Sequence, residues 1–264
     1  MSQEKILLPG MWYGEKKSST EVEFIKKNLT SIQTEEECIL SIVELLKVGD
    51  FSVKPLLIQL MNTTKDDRVL NLCIRIFCSV CTHEDLKDSN NFKFLSDVSD
   101  ASAHSFASGA VETLSYEVVP YLLAMLEDWE DTEIEQTIKN SLDFMLGYSK
   151  KISDEASLDE IGEFYLEEMK WIDASVYYYE KKPVFPGDLT KRLFKNAFIS
   201  LQIGSNLKMY VVPSLLSIWS GEKCPVAYET VMDSVEMEKL QSYANTLSTM
   251  EWIKGKKYFY STEI

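Results

Sequence analysis

The residue types best suited to metal or nucleophilic chemistry cluster in the stretch "CIRIFCSVCTHED", residues 73–85. Cys78 and Cys81 have the spacing of paired zinc ligands, and His83 follows closely. Such cysteine pairs usually flank a turn, and no second Cys-x-x-Cys is present to complete four ligands. Apolar residues at helical spacing through the same stretch favour a buried helix instead. We therefore predict core thiols here, with no metal and no cofactor.

Other catalytic signatures are missing from the sequence. Histidine is scarce, and the sequence has no His-Glu-x-x-His, no Gly-x-Ser-x-Gly elbow, no phosphate-binding Gly-rich loop and no dinucleotide fingerprint. Carboxylates for acid–base work are plentiful, but no single pair stands out from the rest. We predict that the protein is not an enzyme.

A second cluster of reactive residue types lies in "VVPYLLAMLEDWEDTEIEQTIKNSLDFML", residues 118–146. Two apolar, helix-like runs flank a short bend crowded with carboxylates. Acids at the start of the second helix interact favourably with the helix dipole, and each stabilises the helix by about 0.3–1 kcal/mol. Thr132 and Glu135 have the spacing of a capping box. Capping requires one or two acids, so the surplus needs another explanation. The candidate partner-binding residues are Asp128, Trp129, Glu130, Asp131, Glu133 and Glu135.

The negative charge of the chain is concentrated around this bend. The whole sequence carries 42 acidic and 27 basic residues, a formal net charge of −15. Residues 127–168 alone hold fourteen acidic residues against three lysines, a net charge of −11, which leaves −4 for the rest. Such a surface repels phosphate backbones and anionic lipids and steers basic proteins toward it. We predict a basic protein partner, no nucleic-acid binding and no membrane binding.

Three interpretations of the bend are open at this point. The carboxylates are solvated helix faces of an acidic protein, a docking surface for a basic protein, or metal ligands. An Asp-x-Asp-x-Asp-Gly loop with a distal Glu is absent, so an EF-hand calcium site is not predicted. Trp129, with acids on both sides, is either a binding anchor or a side chain folded onto the helices beneath it.

Amphipathic helices are predicted to position these residues. "TEEECILSIVELLKVG" opens on Thr34 and Glu37 at capping-box spacing, carries an apolar stripe and stops at Gly49. "SLDEIGEFYLEEMKWI" opposes an apolar stripe to a carboxylate-rich face. Strand signals are thin, because "SVYYYEKKPVF" and "KKYFYSTEI" are β-prone but short and flanked by Lys or Pro. We predict an all-α fold with little or no β structure.

The helices also repeat as hairpins. Residues 53–80 align without a gap to residues 118–145, and Pro55 and Pro120 take the same place near the start of the first helix. A missing N–H costs little at that place. The pattern resembles HEAT-like repeats, and the alternative is a set of generic helical hairpins in an α-domain. This resemblance implies helical hairpins stacked in an α-α superhelical arrangement, with additional helices between them.

A third, fainter copy begins at "VVPSLLSIW" and has Ala227, Val231 and Val235 on its predicted second helix. We expect a single helical domain over residues 1–264, with repeat-like hairpins at about 52–82, 117–147 and 210–237.

Composition indicates the cellular setting. Five cysteines, mostly inside apolar runs, do not make a disulfide framework and fit a reducing compartment. No stretch approaches the roughly 18 consecutive apolar residues of a membrane span, and the N-terminus lacks the layout of a secretory signal. These features predict a cytoplasmic protein.

Near the N-terminus, "LLPGMWYGEKK" carries two further signals. Pro9 and Gly10 predict a turn. Trp12 and Tyr13 ahead of Gly14 predict an aromatic plug that packs on the first helices, and the alternative is that they are part of a partner surface.

With its aromatic-Gly segment "MWYG", residues 11–14, this acidic, helical chain is similar to a family of mostly helical immunity proteins. Bacteria encode such proteins beside polymorphic secreted toxins. The resemblance implies that the protein binds the catalytic domain of a cognate toxin and blocks it stoichiometrically. If the toxin is a nuclease, its basic cleft would receive the acidic bend, with Trp129 as anchor. The alternative is a HEAT-like adaptor that scaffolds a basic cellular partner. Toxin chemistry and oligomeric state are left open.

Overall fold

The computed structural model describes residues 12–264, apart from the side chain of Thr30. The predicted turn at Pro9 and Gly10 lies outside the described residues. The α-helices, in chain order, are α1 (Ser19–Asn28), α2 (Glu35–Lys47), α3 (Lys54–Thr63), α4 (Asp67–Val80), α5 (His83–Lys87), α6 (Asp100–Gly109), α7 (Val119–Asp128), α8 (Glu133–Leu146), α9 (Leu158–Met169), α10 (Pro186–Ile203), α11 (Val211–Ser220) and α12 (Ser234–Ser248). Short 3-10 segments lie at Leu29–Ser31, Phe51–Val53, Ser89–Asp97, Ala110–Thr113 and Tyr116–Val118.

Two small antiparallel hairpins supply the β-strands of the described chain. They pair β1 (Tyr178–Tyr179) with β2 (Lys182–Pro183), and β3 (Tyr258–Phe259) with β4 (Thr262–Glu263). Two consecutive residues with positive φ close each turn, as in the tight turns whose twist matches that of paired strands. Both hairpins lie in the segments that are β-prone in sequence. The prediction of an all-α fold with little β structure is confirmed.

The chain divides into two compact units. Unit 2 is the continuous segment Lys54–Pro183, and unit 1 is built from the segments on either side of it, Met1–Val53 and Val184–Ile264. Helices α3–α9 and the first β-hairpin belong to unit 2, and the remaining elements belong to unit 1. The single domain expected over residues 1–264 stays a prediction.

Unit 2 contains two of the three predicted helical hairpins. Helix α3 contacts α4, and α7 contacts α8, at the positions that the gap-free alignment indicated. Pro120 lies in the first turn of α7, where it breaks no intrahelical hydrogen bond. Asp66 and Thr132 cap the second helix of each pair, accepting from the N–H groups of Arg68 and Ile134. These caps fix where each second helix begins.

Aromatic rings and buried thiols make up much of the unit 2 core. Phe92 meets Phe77 edge-on at 5.6 Å between ring centres and Phe106 at 5.8 Å. Cys78 lies on α4, and Cys81 is the first residue after that helix. Both are fully buried in the same unit. Thiols placed in this way act as small hydrophobic side chains, as the helical spacing predicted.

In unit 1, the second β-hairpin binds the end of α11. The backbone N–H of Tyr260 donates to the carbonyl of Ile218 at 2.9 Å, and that of Ser261 donates to Trp219 at 2.5 Å. Gly221, with a φ of +78°, ends α11 against this hairpin. A Cβ atom there would lie 2.7 Å from the Tyr260 ring, so the close approach requires glycine.

The second half of the predicted third hairpin is corrected by the structure. Helix α11 matches its first helix, but the chain over residues 221–233 is not helical and α12 begins only at Ser234. Leu207 holds this connection in place, because its carbonyl accepts from the N–H of Glu229 at 2.7 Å. Pro225, which lacks an N–H, also opposes a helix here. Val231, expected on the buried stripe, is 68% exposed.

The aromatic plug contacts the end of α11, and its packing on the first helices stays a prediction. The N–H of Gly14 donates to the carbonyl of Gly221 at 2.9 Å, and the Lys223 ammonium lies 5.4 Å from the centre of the Tyr13 ring. Trp12 and Tyr13 are half-buried. The segment therefore binds at the end of α11, through a contact between residues far apart in sequence.

Candidate functional site

The acidic bend connects α7 to α8, and the backbone defines its shape. The N–H of Trp129 donates to the carbonyl of Met125 at 2.9 Å, which closes the last turn of α7. Thr132 then caps α8, since its hydroxyl accepts from the N–H of Ile134 at 3.2 Å and donates to the carbonyl of Trp129 at 2.7 Å. The whole bend is only a few residues long, so its carboxylates are held close together.

Glu135 has a structural role within the bend. Its carboxylate accepts from the backbone N–H of Asp131 at 2.9 Å and pairs with the Lys139 ammonium at 2.7 Å. The Lys139 contact, followed by that backbone N–H, holds the pKa of Glu135 below its ordinary value of 4.5. The predicted capping box placed this carboxylate on the N–H of Thr132. It lies instead on the residue before, because Asp131 adopts a left-handed conformation with a φ of 61°.

The other carboxylates of the bend face solvent. The exposed acids are Asp128, Glu130, Asp131 and Glu133. In the part of the chain that the structure describes, none of these four forms an ion pair. Trp129 is half-buried, so part of the residue stays accessible to solvent. Five of the six predicted residues are therefore at least partly accessible to solvent, while Glu135 mainly supports the bend.

The formal charge of the chain is divided unequally between the two units. Unit 2 holds 25 acidic and 12 basic residues, a net charge of −13, whereas unit 1 holds 17 and 15, a net charge of −2. The acidic bend belongs to unit 2. The field that a charged partner meets is consequently strongest at unit 2.

Each unit has an open cleft of its own. The cleft in unit 1, about 720 Å³, is lined by residues of opposite charge such as Lys26 and Asp50, whose charged atoms pair at 2.9 Å. The cleft in unit 2, about 450 Å³, is lined by Lys150, Lys151 and Lys181 among others. Among the described residues, no group of three or more His, Cys, Asp or Glu side chains is placed to hold a metal ion.

Sequence reasoning did not single out Trp171, which follows α9 in unit 2 and is 87% exposed. Its tetrapeptide "MKWI", residues 169–172, recurs as "MEWI" at residues 250–253. This repeat was the signal that would have drawn attention to it.

No helix within residues 12–264 is long and apolar enough to cross a membrane.

Comparison with known proteins gives one match. The family model described as "Immunity protein 47" matches residues 8–264, nearly the whole chain. No curated protein and no solved structure matches the chain. The stacked, HEAT-like arrangement of the hairpins therefore stays a prediction.

Proposed function

This chain belongs to the Immunity protein 47 family, and from that premise we propose that it neutralises a toxin by binding the toxin's catalytic domain through the acidic bend. Family membership implies a toxin-immunity role and a cognate toxin as partner. Beyond this family role, we propose the acidic bend as the binding surface, a basic toxin domain as the partner and the cytoplasm as the place of action. One observation carries it: the bend offers four exposed carboxylates without ion pairs, in a unit of net charge −13.

The proposed mechanism is charge complementarity. A nuclease toxin, which must bind phosphates, presents a basic cleft, and an acidic bend fits such a cleft. Opposite fields raise association rates by roughly 10- to 10³-fold, and salt weakens the effect. Trp129 supplies apolar contact at the centre of the charged surface, where interface hot spots are commonly found. Inhibition then follows from occupancy, and the immunity protein itself catalyses nothing.

Co-expression with the toxin domain encoded by the neighbouring gene tests the proposal. Cells that make the toxin domain should survive when the wild-type chain is present, and the two proteins should co-purify. The triple variant Asp128→Lys, Glu130→Lys and Glu133→Lys should protect poorly. Its matched control reverses three exposed acids of unit 1, Glu23, Glu238 and Glu251, and produces the same change in net charge.

Loss of protection in the unit 2 variant alone would support the bend as the binding surface, and equal protection by both variants would remove it from the mechanism. A HEAT-like adaptor predicts a different result. Its gene need not lie beside that of a large modular secreted protein, and its loss would not sensitise cells to a toxin.

A further inference from the structure

The structure contains a duplicated local unit. In each copy a Met-x-Trp-Ile tetrapeptide lies at the end of a helix, starting on the last residue of α9 or two residues after α12, and a tyrosine-rich β-hairpin follows. The first copy reads "MKWI" at residues 169–172 and "YYEKKP" at residues 178–183. The second reads "MEWI" at residues 250–253 and "YFYSTE" at residues 258–263.

The same hydrogen bond organises both copies. The hydroxyl of Tyr178 accepts from the backbone N–H of Asp173 at 3.1 Å, and the hydroxyl of Tyr258 accepts from that of Ile253 at 2.7 Å. In both cases the donor lies five residues before the first strand residue. This bond fixes how the segment after each helix runs back along its hairpin.

A one-residue difference in spacing sends the two tryptophans to different environments. Trp252 directly precedes the bonded N–H, whereas Trp171 lies two residues before it. The Trp252 ring consequently meets Tyr258 edge-on at 4.9 Å, and its indole N–H donates to the carbonyl of Leu247 at 2.9 Å. Trp171, displaced by one residue, is 87% exposed.

Trp171 is accompanied by further exposed apolar surface and by carboxylates. Leu166 is 63% exposed on the solvent face of α9, one residue from Glu167 and one helical turn from Glu163. Both acids are exposed, as is Asp173 after the helix. Glu167 also pairs with the Lys170 ammonium at 2.5 Å, so the carboxylates of this surface that form no ion pair with another described residue are mainly those of Glu163 and Asp173. Large apolar side chains rimmed by charged residues are typical of surfaces that bind another protein, and Trp is enriched at the centres of such interfaces.

We propose that Trp171 and Leu166, framed by the carboxylates of α9, form a docking surface for a basic protein surface on the catalytic domain of the toxin. Charge complementarity selects this occupant, because the acidic rim favours Arg and Lys side chains. An arginine of the partner stacks on the indole face through a cation–π contact. The inference rests on the proposed function and adds a second contact area to it.

This docking surface is separate from the acidic bend. Glu117, just before α7, and Met169, at the end of α9, line the same small cavity of unit 2, which places Trp171 near the beginning of α7. The bend follows the other end of α7, and a helix of that length rises about 15 Å. A partner that covers both areas would contact the two ends of one helix.

Fluorine NMR on the full chain labelled with 5-fluorotryptophan tests the surface directly. The chain has five tryptophans, and single Trp→Phe variants assign their signals. Adding the purified toxin domain from the neighbouring gene should shift or broaden the Trp171 signal and leave that of packed Trp252 unchanged. Trp171→Ala should raise the Kd at least tenfold. Phe24→Ala, which removes a comparably exposed aromatic ring (69%) from unit 1, should leave the Kd unchanged.

The outcomes separate this inference from the proposed function. If the wild-type chain binds the toxin domain while the Trp171 signal and the Kd of Trp171→Ala stay unchanged, the docking surface is refuted and the immunity role stands. If the wild-type chain does not bind, both fail. The NMR result decides the matter even if the alanine variant folds poorly.

Discussion

The carboxylate of Glu135 accepts a hydrogen bond from the backbone N–H of Asp131, 2.9 Å away. This contact holds a left-handed residue between α7 and α8 and so sets the shape of the acidic bend. Glu135, which in the sequence is one more acid of the cluster, therefore stabilises the backbone that carries the exposed acids.

Replacing Glu135 with alanine should destabilise the protein by about 1–2 kcal/mol, because the hydrogen bond from Asp131 and the ion pair with Lys139 are both lost. Chemical denaturation followed by circular dichroism measures this change. Glu130→Ala is the matched control, since Glu130 is an exposed acid of the same bend and should shift stability by less than about 0.5 kcal/mol. Equal effects of the two substitutions would mean that the bend does not depend on Glu135.

Acid should weaken the cap of α4. A side-chain hydrogen bond from Arg68, joined by its backbone N–H, lowers the pKa of Asp66 from 3.8 to about 2. A carboxyl group whose pKa is depressed in the folded state stabilises that state above its unfolded pKa, and the contribution is lost as the pH falls through the folded value. The loss should therefore occur between about pH 4 and pH 2.

Asp66→Asn keeps a good capping side chain and removes the charge. The difference in unfolding midpoint between this variant and the wild type should shrink as the pH falls through that window. The same substitution at exposed Asp97 provides the control. A difference that stays constant with pH would show that the Arg68 contact contributes no pH-dependent stability.

Alanine substitutions at two glycines distinguish the cost of backbone strain from the cost of close packing. Gly204 and Gly221 both have a φ that favours glycine, but a Cβ atom meets nothing within 4 Å at Gly204 and lies 2.7 Å from the Tyr260 ring at Gly221. Gly204→Ala should cost about 1 kcal/mol for the left-handed backbone. Gly221→Ala should cost about 1–3 kcal/mol more, because the hairpin has to move. Thermal unfolding of both variants gives the comparison, and equal costs would contradict the tight contact.

The thiols provide a test of the core. Cys73, Cys78 and Cys81 are fully buried, and burial raises the pKa of Cys224 to about 11. Only half-exposed Cys38 should react with a thiol reagent within minutes in the native protein. The other four should react after unfolding in guanidinium chloride. Rapid reaction of three or more native thiols would place the cysteines outside the core.

Local repetition made much of unit 2 predictable. Pro55 and Pro120 begin equivalent helices, and the gap-free pattern between them fixed two helical hairpins and their turns. The third copy failed after α11 because a long-range contact to Leu207, invisible in a local pattern, holds residues 221–233 out of a helix. The division into two units also joins segments far apart in sequence, which hydrophobic periodicity alone does not report.

The candidate site was predictable only in part. Charged residues can be read directly from the sequence, so the acidic bend could be predicted. The direction in which a side chain points cannot be read in this way. A one-residue offset decides that Trp171 is exposed while Trp252 is packed. Likewise, the left-handed conformation of Asp131 moved the Glu135 carboxylate from the expected amide to its neighbour.

The proposed neutralisation requires long-range attraction between unit 2 and a basic toxin domain, and the association rate measures that attraction most directly. Stopped-flow mixing of the labelled chain with its toxin domain, repeated from about 10 mM to 1 M salt, should show a rate that falls steeply as screening increases. The variant Asp128→Lys, Glu130→Lys and Glu133→Lys should associate roughly tenfold or more slowly at low salt. Wild-type and variant rates that are equal and independent of salt would contradict the account.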